Sequence, residues 1–189
     1  MTAEQIKQSY RDETAGIYLR PITDEDTDLI VKWRNSDAVR SRFIYRELFT
    51  PEGHTKWLRT VVDTGKAIQM ILCDSATDQP LGSVFARDVD HKHNKAEYGI
   101  FIGEDSARGR GVGTAAAKLM LRYLFTEEGL HRVFLRVLSD NIAAIRSYEK
   151  AGFTREAHLR ESVYLEGAYK DVILMAILEE EYREKNAVE

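Results

Sequence analysis

Residues 108–114 read RGRGVGT, set between an apolar run and a long helical stretch. Before them, Ala96–Ile102 (AEYGIFI) has the short, aromatic and β-branched character of a buried strand. After them, Thr114–Glu128 (TAAAKLMLRYLFTEE) is rich in strong helix formers, with no Gly or Pro to interrupt it. Gly109, Gly111 and Gly113 let the backbone turn tightly and leave nothing to block an approaching ligand. Unpaired amides and the partial positive charge of a helix start favour an anion there. Arg108 and Arg110 add cationic forks suited to phosphate. The run from Arg108 to Thr114, with Val112 inside it, reads as a phosphate cradle; the plainer alternative is a glycine-rich turn with two solvated arginines.

Two other glycine motifs compete for this junction. A P-loop needs Lys then Ser or Thr after its last glycine, whereas Thr114 follows Gly113 directly. A dinucleotide-binding turn fares better, since Gly111 to Ala116 fits G-x-G-x-x-A and Asp140 closes the next strand. That fingerprint, however, follows its strand at once, and here a loop from Gly103 to Arg110 intervenes. It ranks second.

Downstream, Arg132–Leu138 (RVFLRVL) alternates as a strand and leads into SDNIAAIRSYEKAGF. Ser139, Asp140 or Asn141 can cap a short helix, and Gly152 can end it. Asn141 and Tyr148, seven apart, project from one face. At this point the chain resembles the GNAT superfamily of acyl-CoA-dependent N-acetyltransferases. The superfamily's R-x-x-G-x-G loop matches Arg108, Gly111 and Gly113. Its Asn-x-x-Ala-x-x-x-Tyr-x-x-x-Gly-Phe segment matches Asn141, Ala144, Tyr148, Gly152 and Phe153. The layout is most similar to the branch containing ribosomal-protein, spermidine and amino-sugar acetyltransferases.

The resemblance implies a single mixed α/β domain over residues 17–178. Its sheet is expected to be mostly antiparallel, with six or seven strands, flanked by helices and splayed between the strands at 96–102 and 132–138. Residues 1–16 read as a polar lead-in and 179–189 as a charged, fraying tail. The remaining elements are a strand at Ile17–Ile22, helical stretches from Thr23 and from Thr50-Pro51, and hairpins at 66–88 and 157–178.

Composition bounds the class. With 189 residues, 43% hydrophobic, the chain suffices for one core. A net charge of −4 argues against nucleic acid as a main partner. Cys73, the single cysteine, lies in the apolar run AIQMILC and reads as core; with no internal disulfide open to it, a reducing, cytoplasmic setting is expected. No apolar stretch reaches membrane-spanning length. His91 and His93 sit in the polar stretch DHKHNK and read as a solvated turn, so no metal is expected.

For chemistry, the resemblance implies acetyl-CoA as donor, its pantetheine arm held by backbone near Phe101 and Ile102, and direct transfer to a small-molecule amine. Tyr148 matches the position whose hydroxyl protonates the leaving sulfur, and Asn141 one that bonds the cofactor arm or a strand edge. Glu97 shares a strand face with Gly99 and Phe101, so it can serve either as general base through water or as a structural ion-pair partner. Trp33-Arg34-Asn35 resembles a segment of nucleotide-amino-sugar acetyltransferases; Trp33 could stack on a sugar or base and Arg34 meet a phosphate, or Trp33 could simply be core. An amino sugar is therefore the leading acceptor. A polyamine follows, with Asp24, Glu25, Asp26 and Asp28 as its acid cluster, then a protein N-terminus. A non-catalytic acyl-CoA sensor is the alternative of another class, and pairing into a homodimer is left open.

Overall fold

The computed structural model describes residues 1–186. Period-two alternation decides which side of the sheet each strand residue feeds. In β2 (Ile17–Pro21), Ile17 and Leu19 enter a large core while Tyr18 enters a second one on the opposite side. In β3 (Ala67–Asp74), Met70 and Leu72 join the first core and Ile71 and Cys73 the second. Cys73 is fully buried, and burial pushes its thiol pKa up, the behaviour of a core residue.

With β1 (Arg11–Asp12), β4 (Pro80–Asp90), β5 (Lys95–Ile102), β6 (Arg132–Leu138), β7 (Thr154–Leu165) and β8 (Ala168–Leu178), the sheet runs β1-β2-β3-β4-β5-β6-β8-β7. Every neighbouring pair is antiparallel except β5 and β6. The class matches the expectation, with eight strands in place of six or seven because two residues of the lead-in pair as β1.

Residues 1–16 are more than a polar lead-in. Helix α1 (Ala3–Ser9) starts at a Thr2–Gln5 capping box, and Ile6 and Tyr10, four apart, reach the large core. Tyr10 meets Tyr123 edge-on at 5.3 Å. Period and capping were present in the sequence, but two apolar residues among many polar ones make a weak signal. At the other end, α7 (Glu179–Asn186) docks where the expectation was a fraying end: Tyr182 stacks on Phe125 at 4.9 Å, and Lys185 donates to the Gly152 carbonyl. The last three tail positions lie outside the described residues.

Helix α5 (Val112–Thr126) supplies much of the large core, burying Ala116, Ala117, Met120, Leu121 and Leu124. On the other side, the segment from Thr23 first makes a tight turn in which Asp26 takes a bond from the Thr23 amide at 2.8 Å. Helix α2 (Thr27–Asn35) follows, then α3 (Asp37–Arg40) and α4 (Pro51–Trp57), the last capped by Thr50 with Pro51 at its first position as expected. Ile30, Trp33 and Val39 close the second core. Helix α6 (Ile142–Ala151) lies between β6 and β7, capped by Asn141 and ended at Gly152 with φ +111°.

Candidate functional site

β5 and β6 pair over only three residues, Lys95–Glu97 against Arg132–Phe134. Beyond Glu97 each strand keeps its other partner: Tyr98–Ile102 stay on β4 and Leu135–Leu138 on β8. The two inner edges therefore diverge and face each other with unused backbone groups, as an extended, amide-bearing arm requires. This is the expected splay.

The cradle lies at the open end of that gap. Gly111 is the cap of α5 with φ +78°, and Gly109 has φ +76°, both in the region that favours glycine. A Cβ at either would meet nothing within 4 Å, so the outer face of the loop is open. The Val112 and Gly113 amides open α5 with no acceptor inside the helix, whereas those of Thr114 and Ala115 turn back to the Gly111 carbonyl, each at 3.1 Å. The geometry fits a pyrophosphate, with the gap beyond for the arm. All the expected cofactor positions, Phe101, Ile102, Asn141 and Ala144 among them, line one open cleft of about 830 Å³, except Arg110. Arg110 instead lies against the Ser106 carbonyl in solvent. Arg108 pairs with Asp105 at 2.6 Å and touches the Ile102 carbonyl, so the two arginines differ in surroundings. Asn141 spends its side-chain oxygen on the Ala144 amide, as a helix cap. Thr114 and Ser147 join α5 to α6 through a 2.8 Å hydroxyl pair.

Tyr148 projects from α6 into the cleft, its ring edge-on to Tyr98 at 6.1 Å and Phe153 at 5.9 Å. Burial pushes its pKa up to about 12, so the hydroxyl keeps its proton across the physiological range. Tyr98 was not anticipated. Its buried hydroxyl has no partner among the described residues.

Glu97 is buried, 6% exposed, and bridged by two arginines. Arg87, its cross-strand partner on β4, donates at 2.8 Å and 3.1 Å; Arg136 on β6 donates at 3.0 Å and 3.1 Å. The ion-pair reading thus describes its surroundings, and both carboxylate oxygens are already engaged. Tyr45 caps the group, its ring under Arg87 at 4.8 Å and its hydroxyl 3.4 Å from Arg136. These two cations hold the Tyr45 phenol pKa below its ordinary value. Neither Arg87, Arg136 nor Tyr45 stands out in the sequence, because only strand register brings them to Glu97.

The Trp33-Arg34-Asn35 segment requires correction. Trp33 is 1% exposed, packs on Phe101, and donates to Glu104 at 2.8 Å at the start of the cradle loop. A Cβ on Gly103 would lie 2.2 Å from its ring, so the loop passes directly over the indole. No face remains to stack on a sugar or base. Asn35 exchanges two 2.8 Å bonds with the Phe49 backbone. Both residues fasten loops. Trp33→Ala should accordingly cost about 3–5 kcal/mol of stability, the usual loss for a buried tryptophan, measured by denaturant unfolding. Unchanged stability with a raised acceptor KM would instead restore the stacking role.

Arg34, 6% exposed, lies over Phe43 at 3.7 Å and donates to the Tyr45 carbonyl. It borders a second cavity of about 540 Å³, which meets the first along Phe43, Tyr45, Phe85, Arg87 and Phe101. The acids expected for a polyamine line neither cavity: Asp26 is held by Arg20 and Asp24 by Arg59.

Comparison with known proteins agrees with this geometry. The family model for the acetyltransferase (GNAT) domain matches residues 17–154. The chain belongs to the GNAT acetyltransferases. This GNAT protein is 29% identical over 169 residues to spermidine N(1)-acetyltransferase of Escherichia coli K12, covering 88% of each chain. It is 28% identical over 138 residues to the putative ribosomal N-acetyltransferase YdaF of Bacillus subtilis, covering 73% of this chain and 71% of that one. The crystal structure of spermidine N-acetyltransferase from Vibrio cholerae in complex with CoA and spermine superposes with a TM-score of 0.83 at 26% identity, covering 89% and 98%. The GNAT chain is thus an acyl-CoA-dependent N-acetyltransferase with acetyl-CoA as donor. Among the described residues no helix is long and apolar enough to cross a membrane.

Proposed function

We propose that this chain moves an acetyl group from acetyl-CoA to a primary amine of a small molecule, in a ternary complex at the mouth of the gap between β5 and β6. The observation that carries the reading is the position of Tyr148, a protonated phenol on the wall of the cleft that runs from the cradle. The cradle amides, the loop glycines and Arg108 hold the pyrophosphate. The acetyl thioester supplies an activated carbonyl, and a backbone amide near Phe101 polarises it. As the amine nitrogen bonds to the carbonyl carbon and the carbon–sulfur bond breaks, Tyr148 gives its proton to the departing thiolate. The nitrogen sheds its surplus proton to water in the open cleft, and water restores the phenol. Glu97, held by Arg87 and Arg136, acts as a positioning residue, the structural one of the two roles open to it.

The relatives support a polyamine over the leading amino-sugar expectation. The test is thiol release from acetyl-CoA with spermidine, an amino-sugar nucleotide and peptides starting with Ser or Ala. Acetylation of a small amine at least tenfold faster than of any peptide is the expected result; efficient peptide acetylation alone overturns it.

A further inference from the structure

The acceptor end of the cleft is cationic. Glu97 is the one acid among the described residues lining the main cavity, and two guanidinium groups share it. Arg87 also has the exposed Asp88 carboxylate 3.9 Å from its Nε, but Asp88 does not line the cavity, so within the lining Arg87 and Arg136 outnumber the one acid they share. Arg42 lines the same cavity, exposed, and makes no ion pair among the described residues. Deeper, where the second cavity opens, Arg34 has a buried Nη1 with no hydrogen-bond partner, and His54 a buried Nε2 in the same condition. Buried polar nitrogens left unpaired are costly, and such orphans in a cavity wall point to a ligand that satisfies them. Among the described residues, the only acid lining that second cavity is Glu47, which is exposed. Burial, and to a lesser degree the nearby Arg87, lower the Arg34 pKa to about 10 against an opposing pull from Glu47, far enough above neutrality to keep its charge.

A polycation would meet this wall as like charge on like charge. We propose that the acceptor is a primary amine that also carries an anionic group, a carboxylate or a phosphate, seated against Arg42, Arg87 and Arg136 with Arg34 behind them. The proposal rests on the transfer reaction above and separates this chain's acceptor from the substrates for which its relatives are named. Bidentate guanidinium pairing suits both anions, and the amine on the same molecule is then presented toward the gap.

Matched amines test it on the full chain: glucosamine against glucosamine 6-phosphate, 4-aminobutanoate against its amide, and spermidine alone. In at least one pair the anionic member should exceed its neutral partner in kcat/KM by about 10-fold or more, with the gap narrowing as salt is raised. Which pair responds distinguishes phosphate from carboxylate. Arg42→Gln should shrink the gap while acetyl-CoA affinity holds; being exposed, the substitution does not threaten the fold. Arg34→Gln should shrink it further. Spermidine as the best acceptor, or neutral members preferred in both pairs while CoA is released, overturns the anion proposal and leaves the reaction standing. Failure to bind acetyl-CoA at all overturns the reaction, and the acceptor proposal with it.

Discussion

Tyr148→Phe is expected to slow turnover by roughly 10²–10⁴-fold, the span usual for lost proton transfer, with acetyl-CoA affinity nearly unchanged. The phenyl ring keeps the contacts with Tyr98 and Phe153, so no cavity forms and α6 stays in place. The loss should fall on kcat and kcat/KM alike, since the proton is needed only as sulfur leaves. The pH profile gives a second check. With its pKa pushed up to about 12, Tyr148 is in the proton-donating form at every pH from 6 to 10. The wild type should therefore show no loss of this group across that range, and the variant should be slow throughout it. Near wild-type turnover would make Tyr148 a structural residue and show that the thiolate leaves unaided.

Gly111→Asp should weaken acetyl-CoA binding by roughly 100-fold or more, a change of about 2.7 kcal/mol. The effect is on binding more than on folding. Gly111 caps α5 with open space above it, so an added Cβ meets nothing in the protein within 4 Å. Its φ of +78° costs aspartate about 1 kcal/mol or somewhat more. Against that, a carboxylate beside the helix start partly offsets the cost by meeting the free amides itself. Those are the amides assigned to the pyrophosphate. The variant thus fills its own anion site and presents negative charge to an incoming phosphate. Calorimetry showing a folded variant that binds acetyl-CoA as the wild type does would remove the cradle from the cofactor site. Gly111→Ala, with the strain but no charge, separates the two contributions.

Much of this was legible along the chain, because it depends on near neighbours. Gly109 and Gly111 sit where positive φ is needed, and an unbroken run of helix formers follows Gly113. Asn141 and Gly152 bracket α6 with residues whose own chemistry caps a helix. Tyr148 could be placed on the face of Asn141 by period alone. Even the buried state of Cys73 follows from its apolar run.

Tertiary structure decided the rest, and the residues concerned share one property: their partners are distant in sequence. Glu97 was assignable to a strand face, but its neighbours depend on cross-strand register with Arg87 and on β6 lying beside β5, which brings Arg136 across from 39 positions away. Trp33 and Arg34 were visible as adjacent, chemically rich side chains on a helix. Whether they face ligand or core depends on where that helix packs. Docked on the sheet, α2 buries the Trp33 indole beneath Gly103 and sets Arg34 between Phe43 and the second cavity. Local sequence fixes torsion angles, caps and periodicity, which are properties of a few consecutive residues. The charge of a pocket is the sum over side chains from several elements, and only the packing of α2, β4, β5 and β6 brings those side chains to one wall.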